Sequence, residues 1–290
     1  MQRSLRLLVF VFVTALVGAV GPSAGGVVPG DDGLIAFTTS SQRIATIQSD
    51  GSGLAVLPGD EGVFDMAPAW SPDGARIAYV RYSEGSDTDL WVMDADGSQR
   101  RIATTSPRTD HEPAWAPDGS ALVFWRIGPR GGHHLRIKVL DGSRSVLVPT
   151  GVSSFAPDWS PDGSTIAFMR RGGDLYTVRP DGSDLTQLTA TPNRFEMDPQ
   201  WSPDGDLIVF TGEVTGAEAE IYTLRLADGE VRNLTNTADV YEAWPAWAPS
   251  GGRIVYSTGT LWIIDALGGA GTQVPNAQGS EPDWQPLPET

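Results

Sequence analysis

Three observations predict an all-β fold, a six-bladed β-propeller of four-stranded antiparallel blades. A five-residue pattern, W-S-P-D-G, returns along the chain at a step of about 40–45 residues, the period of a propeller blade. Each copy is followed by three short strand-like runs separated by turn residues. The two ends of the chain carry complementary halves of the same pattern.

The pattern stands at Trp70–Gly74, Trp159–Gly163 and Trp201–Gly205, as W-A-P-D-G at Trp115–Gly119 and as W-A-P-S-G at Trp247–Gly251. Pro presets the second residue of a type I turn, Asp tolerates the bridge region, and Gly supplies the left-handed residue that reverses the chain. The turn therefore joins two antiparallel strands. The strand after it is read at Ile77–Val80, Leu122–Trp125, Ile166–Met169, Leu207–Phe210 and Ile254–Tyr256, β-branched and aromatic runs suited to burial. A third strand follows at Leu90–Asp94, Leu135–Val139, Leu175–Val178, Ile221–Leu224 and Leu261–Asp265. A poorer fourth strand closes the unit, as at Thr186–Thr189 or Val231–Thr235. Two residues before each Trp sits a Pro (Pro68, Pro113, Pro157, Pro199, Pro245, Pro282), which requires a strand that is just beginning or has one open side.

The blade count comes from the ends. Asp32-Gly33 precedes the apolar run Leu34–Phe37 but has no Trp before it, and Trp284-Gln285-Pro286 has no Asp-Gly after it. Joined, they rebuild one W-x-P-D-G. The sequence therefore predicts a ring of six over residues 32–286, with the first blade built from 32–62 plus a strand at 279–286 and with Pro286 close to Asp32. Such closure removes the sheet edges an open array would expose.

Upstream, a basic start with Arg3 and Arg6 leads into a 14-residue apolar run, Leu7 to Val20, and then small residues. Residues 1–24 read as a secretory signal peptide, with a short segment at 25–31 before the propeller. The run is shorter than the roughly 20 residues that span a bilayer. A secreted or periplasmic protein, soluble after cleavage and monomeric, is expected. Loss of Arg3 and Arg6 leaves 18 of the 20 basic residues against 36 acidic ones, which disfavours nucleic acid as a partner. The chain has no Cys, which excludes disulfides, thiolate catalysis and Cys-ligated zinc.

The consensus D-x-x-P-x-W-S-P-D-G-x-x-I-A-F, then I-Y-x-x-D-x-x-G, then L-T, resembles the WD40-like PD40 repeat of the TolB family propeller, over nearly all of residues 32–286. That resemblance implies a periplasmic protein that binds lipoprotein and translocation partners. The chain is expected to depart from that family by lacking the α/β domain that precedes the propeller there. Similar repeats form the propellers of prolyl-oligopeptidase-like enzymes and of oligogalacturonate lyases.

One face of such a ring carries the near-identical W-x-P-D-G turns. The other carries the variable loops, where binding residues belong on a rigid support. Four acids, Asp65, Asp110, Glu196 and Glu242, stand five residues before their Trp, while Ser154 and Gly279 break the series. With the Trp strand innermost, these acids are expected to ring one mouth of the channel as a negative funnel for a partner's basic group. The alternative is that they accept backbone amides of the next blade. The variable loops add a basic sector: Arg126, Arg130 and His133 in the third blade, Arg170 and Arg171 in the fourth. All three histidines, His111, His133 and His134, fall in the third blade beside Asp110 and Glu112, but in no recognised zinc spacing, and no metal or cofactor is expected.

There is no G-x-S-x-G elbow and only one Lys, Lys138, and no Ser is placed by motif near a His, so no catalytic residue is assigned. The motif Trp residues read as core packing, and Trp244, outside the motif, is better suited to exposure. The sequence thus favours a non-enzymatic scaffold that binds a protein or peptide at the variable mouth. The alternative is a lyase or hydrolase gripping an acidic sugar with the same Arg and His side chains.

Overall fold

The structure, a computed structural model, describes residues 32–142, 144–237 and 239–286. The expected signal peptide at 1–24 and the segment at 25–31 lie outside the described residues. Those described form strands joined by turns and loops, with no helix among them.

Four sheets hold four antiparallel strands each, and in every one the strand that carries the motif Trp lies at one edge. The Trp70 unit comprises Val63–Trp70, Arg76–Ser83, Asp89–Asp94 and Arg101–Ile102. The Trp115 unit comprises Asp110–Trp115, Ala121–Ile127, His133–Val139 and Ser145–Leu147. The Trp159 unit comprises Ser154–Trp159, Ile166–Arg170, Asp174–Val178 and Thr186–Gln187, and the Trp201 unit Arg194–Trp201, Leu207–Val214, Ala219–Arg225 and Val231–Asn233. The apolar runs Ile77–Val80, Leu122–Trp125, Ile166–Met169 and Leu207–Phe210 lie within these strands.

A fifth sheet has seven strands, in the order Ala243–Trp247, Arg253–Ser257, Gly259–Asp265, Thr272–Trp284, Ile35–Thr39, Ile44–Ile47 and Ala55–Val56. Its long strand serves both ends of the chain. Thr272 and Gly279 stand opposite Ile263 and Gly259, while Gly279 and Trp284 stand opposite Thr39 and Ile35. The halves of the split motif meet through hydrogen bonds: the Gln285 amide donates to the Leu34 carbonyl at 2.8 Å, and the Trp284 indole to the Gly33 carbonyl at 3.1 Å.

The motif turn closes as its residues dictate. The Gly74 amide donates to the Ser71 carbonyl at 2.8 Å with Gly74 at φ 64°, and the Ser71 hydroxyl bonds the Asp73 carboxylate. Six apolar clusters then lie between successive units. The second strand of one unit faces the motif Trp and second strand of the next, as where Ala78, Val80, Leu90 and Val92 pack on Trp115, Leu122 and Phe124. One cluster joins Val255 and Leu261 to Ile35, Phe37 and Trp284, from opposite ends of the chain. Each fully buried Phe, Leu or Ile contributes about 1.5–3 kcal/mol, so the contacts between sheets are the main source of stability.

Candidate functional site

The Trp-bearing strands pack on one another in turn, and the last, Thr272–Trp284, also packs on the first, Val63–Trp70. Each contains the same irregularity. In the Trp70 unit Met66 pairs with Val80 and Ala69 with Ala78, so three steps on one strand match two on the other. The register shifts at the same place before Trp115, Trp159, Trp201, Trp247 and Trp284. The third residue before each Trp (Ala67, Glu112, Ala156, Asp198, Trp244, Glu281) takes a left-handed conformation with φ between 47° and 54°. This is a β-bulge, and the Pro two residues before Trp sits inside it, where no ladder amide is needed.

These open edges and bulges wall a channel of about 680 Å³. Pro, Trp and Ala side chains make most of its lining. Its ionisable groups are Glu112, Asp158, Asp198, Glu281 and Asp283, and no Arg, Lys or His belongs to the lining. Burial pushes the Glu112 carboxyl up to about 8, with the nearby Asp198 adding to the rise. Burial likewise raises Asp198 and Asp158 to about 7 and Asp283 to about 6, and lifts Glu281 above the usual range.

Several of these groups bind the exposed edge of the neighbouring unit. Asp283 accepts the Trp70 amide at 2.6 Å, Asp158 accepts the Trp201 amide at 2.8 Å, and the Gln200 side chain accepts the Trp247 amide. Glu281 accepts the Ala67 amide at 3.0 Å and the Thr38 hydroxyl at 2.7 Å. Glu112 accepts the Trp125 indole at 2.6 Å. An amide that would otherwise face the channel unpaired is thus held by the next sheet.

The acids singled out in the sequence sit elsewhere. Asp65, Asp110, Glu196 and Glu242 are buried and line no part of the channel. Asp65 lies 3.4 Å from Arg81, Asp110 forms a two-pronged pair with Arg126, and Glu196 pairs with Arg194 at 2.8 Å. Glu242 accepts the Thr237 hydroxyl at 2.9 Å. The bulge is the reason. Strict alternation would put the fifth, third and first residues before Trp on one side of the strand, but the extra residue turns the fifth to the other side.

The third-blade residues gather into an aromatic cluster. The His111 ring stacks on Trp125 at 4.2 Å, and His133 lies 5.2 Å from Trp125 and 4.5 Å from Phe155. Burial, with His133 beside it, pushes His111 down to about 4. Burial also lowers His133, with His134 and Arg171 contributing. Arg170 donates to the Thr150 carbonyl at 3.1 Å and lies over the Tyr176 ring, while Arg130 and Arg171 are exposed. Trp244 stands half-buried on the channel wall.

Residues 130–261 match the PD40 family, described as the TolB beta propeller domain. A 41-residue stretch is 58% identical to the Tol-Pal system protein TolB of Anaeromyxobacter dehalogenans (strain 2CP-C), and covers 14% of this chain and 9% of that protein. The crystal structure of TolB from Acinetobacter baumannii superposes with a TM-score of 0.75 at 24% identity, over 89% of this chain and 68% of that one. Over residues 130–261 the chain is similar to the TolB β-propeller domain, and it shares that fold. An oligogalacturonate lyase in complex with manganese superposes less well, with a TM-score of 0.59 at 16% identity over 81% of this chain and 70% of the lyase.

Glu112 was noted in the sequence only beside the histidines, and the channel acids were not recognised as one set because they do not repeat. The third position before Trp holds Glu or Asp in three units and Ala or Trp in the others, and the position just before Trp holds Asp in two. Among the described residues no group of three or more His, Asp or Glu side chains is placed to hold a metal ion, and no helix is long and apolar enough to cross a membrane.

Proposed function

We propose that this TolB-like chain is a closed six-bladed propeller, exported by a signal peptide at 1–24, that acts outside the cytoplasm as a non-enzymatic scaffold. Its partner is a protein or peptide that presents a basic group to the mouth of the channel. Six repeats of the Trp strand and the pairing of Ile35–Thr39 with Thr272–Trp284 support the closed ring. One observation carries the functional reading: the channel wall holds five carboxylates and no cation. Burial without a counter-ion raises their pKa values, and an incoming guanidinium or ammonium group lowers them again, so binding releases protons. Around the mouth, Arg130 and Arg171 supply a basic sector that orients the partner, with the neutral His133 beside them. Arg126 is committed to Asp110, and Arg170 to Thr150 and Tyr176, which leaves them less available to grip an acidic sugar.

The test is capture from an envelope extract with the wild-type chain and with a Glu112→Gln, Asp198→Asn, Glu281→Gln variant, each eluate identified by mass spectrometry. A protein recovered by the wild type and lost from the variant is the expected result. Equal recovery removes the channel from the account, and turnover of an anionic oligosaccharide would put the lyase reading in its place.

A further inference from the structure

The junction between the Trp70 and Trp115 units differs from the other five. In each of the others, two side chains on the third strand, two residues apart, face the preceding unit and enter the apolar cluster there. They are Trp91 and Met93, Tyr176 and Val178, Tyr222 and Leu224, Trp262 and Ile264, and, in the N-terminal unit, Ala45 and Ile47. The register is the same throughout, because the first of each pair stands opposite an aromatic residue of the second strand: Tyr79, Phe168, Phe210, Tyr256 or Phe37. In the Trp115 unit that aromatic residue is Phe124, and opposite it stands Arg136, with Lys138 two residues on. Neither belongs to the cluster at this junction.

Where the other junctions hold apolar side chains, this one holds a cavity of about 230 Å³. It is walled by Arg126, Arg136, Lys138, Arg144 and Ser145 and by the link Ala103–Pro107 with its three hydroxyls, and it shares no residue with the channel wall. Lys138 is the only Lys in the chain and is 8% exposed. Its ammonium donates to the Gly142 carbonyl, and Arg136 donates to the Ser145 hydroxyl at 2.8 Å and carbonyl at 2.6 Å. Two carboxylates stand nearby. Asp110 is bound by Arg126, and Asp89 accepts from the Thr104 hydroxyl and the Ser106 amide. Among the described residues neither Arg136, Lys138 nor Arg144 forms an ion pair with a carboxylate, as Arg81, Arg126 and Arg194 do in the same chain.

Cations gathered in a partly desolvated cleft repel one another and lose hydration, a cost that an anion with several acceptor oxygens offsets. We propose that this cleft binds a tetrahedral oxyanion, the phosphate or sulfate group of a small monoester. Arg136 and Lys138 form its floor, Arg144 its exposed side, and the Thr105 and Ser106 hydroxyls its remaining donors, since Thr104 already donates to Asp89. A planar guanidinium supplies two parallel bonds to such a group, and an ammonium a point charge. The cavity is below the roughly 300–1,000 Å³ of drug-sized ligand sites, which fits one charged group and little more.

The test is isothermal titration of the mature chain, at fixed ionic strength, with inorganic phosphate, inorganic sulfate, glucose 6-phosphate and glucose 6-sulfate, against sodium chloride as control. The variant Arg136→Tyr, Lys138→Val installs the pair that the Trp159 unit carries at the same register, so it is expected to fold with an unchanged circular dichroism spectrum. The wild type is expected to bind at least one phosphate or sulfate probe, and the two ester arms show which group is preferred. The double variant should bind roughly tenfold more weakly or not at all, as loss of one or more charge-assisted hydrogen bonds implies. The single variant Arg144→Gln, on the exposed side, should weaken binding severalfold without touching the core. No binding of any probe by the wild type up to about 10 mM, or undiminished binding by the double variant, overturns the proposal.

Discussion

Replacing Asp158 by Asn isolates what burial of one channel carboxylate costs. Burial holds the folded-state Asp158 proton to about pH 7, against a value of 3.8 in the absence of the fold. Between those values folding requires uptake of a proton, so the favourable contribution is complete below about pH 3.8 and is lost as pH rises through about 7. A shift of about three units at about 1.4 kcal/mol each gives a ceiling of roughly 4 kcal/mol. The side chain faces a channel that water can enter, which reduces the expected effect to about 1–2 kcal/mol. Asn keeps an oxygen to accept the Trp201 amide, now 2.8 Å from the Asp158 carboxylate, and removes the charge. Asp158→Asn should therefore match the wild type at pH 4 and exceed it by about 1–2 kcal/mol at pH 8, a rise in Tm of about 2–8 °C. Urea and thermal unfolding at pH 4, 6 and 8 measure it. A variant less stable than the wild type at pH 8, or a difference that ignores pH, would refute the assignment of Asp158 to the buried wall.

Three further outcomes follow from the same geometry. Arg194→Met leaves Glu196 buried without its 2.8 Å partner and should cost about 3–5 kcal/mol in urea unfolding. Ala156→Gly relieves a left-handed residue at φ 47° and should raise stability by about 0.5–1 kcal/mol, where a loss would show that the bulge conformation is wrong. The His111 ring, held against Trp125, should titrate by NMR near pH 4, and its stabilising contribution should fall as pH drops from about 6.5 through that value; a midpoint near 6.5 would place it in open solvent.

Much of the fold was legible because the chain states it repeatedly. The runs after each W-x-P-D-G and the third strands were found where their β-branched and aromatic residues put them, and Pro68 and its counterparts correctly required an open strand edge. The channel was harder to read. The acids before Trp were placed at the mouth only from the innermost position of the Trp strand, and a left-handed residue at Ala67, Glu112 and their equivalents reverses the side on which Asp65 and Asp110 emerge. Nothing local marks that conformation, since Ala and Trp occupy the position as well as Glu and Asp. Arg136 and Lys138 were read as part of the strand Leu135–Val139, and their meaning depends on strand register, which only the pairing with Phe124 supplies.

Ring closure is the claim on which the remaining assignments rest, and amide hydrogen exchange at the C-terminal strand tests it without perturbing the chain. The Gln285 amide, bonded to the Leu34 carbonyl, and the Trp284 indole, bonded to the Gly33 carbonyl, should exchange among the slowest protons in the protein. Exchange there at the rate of a frayed terminus, while the inner strands of the Trp115 and Trp159 units stay protected, would contradict a shared sheet between the two ends.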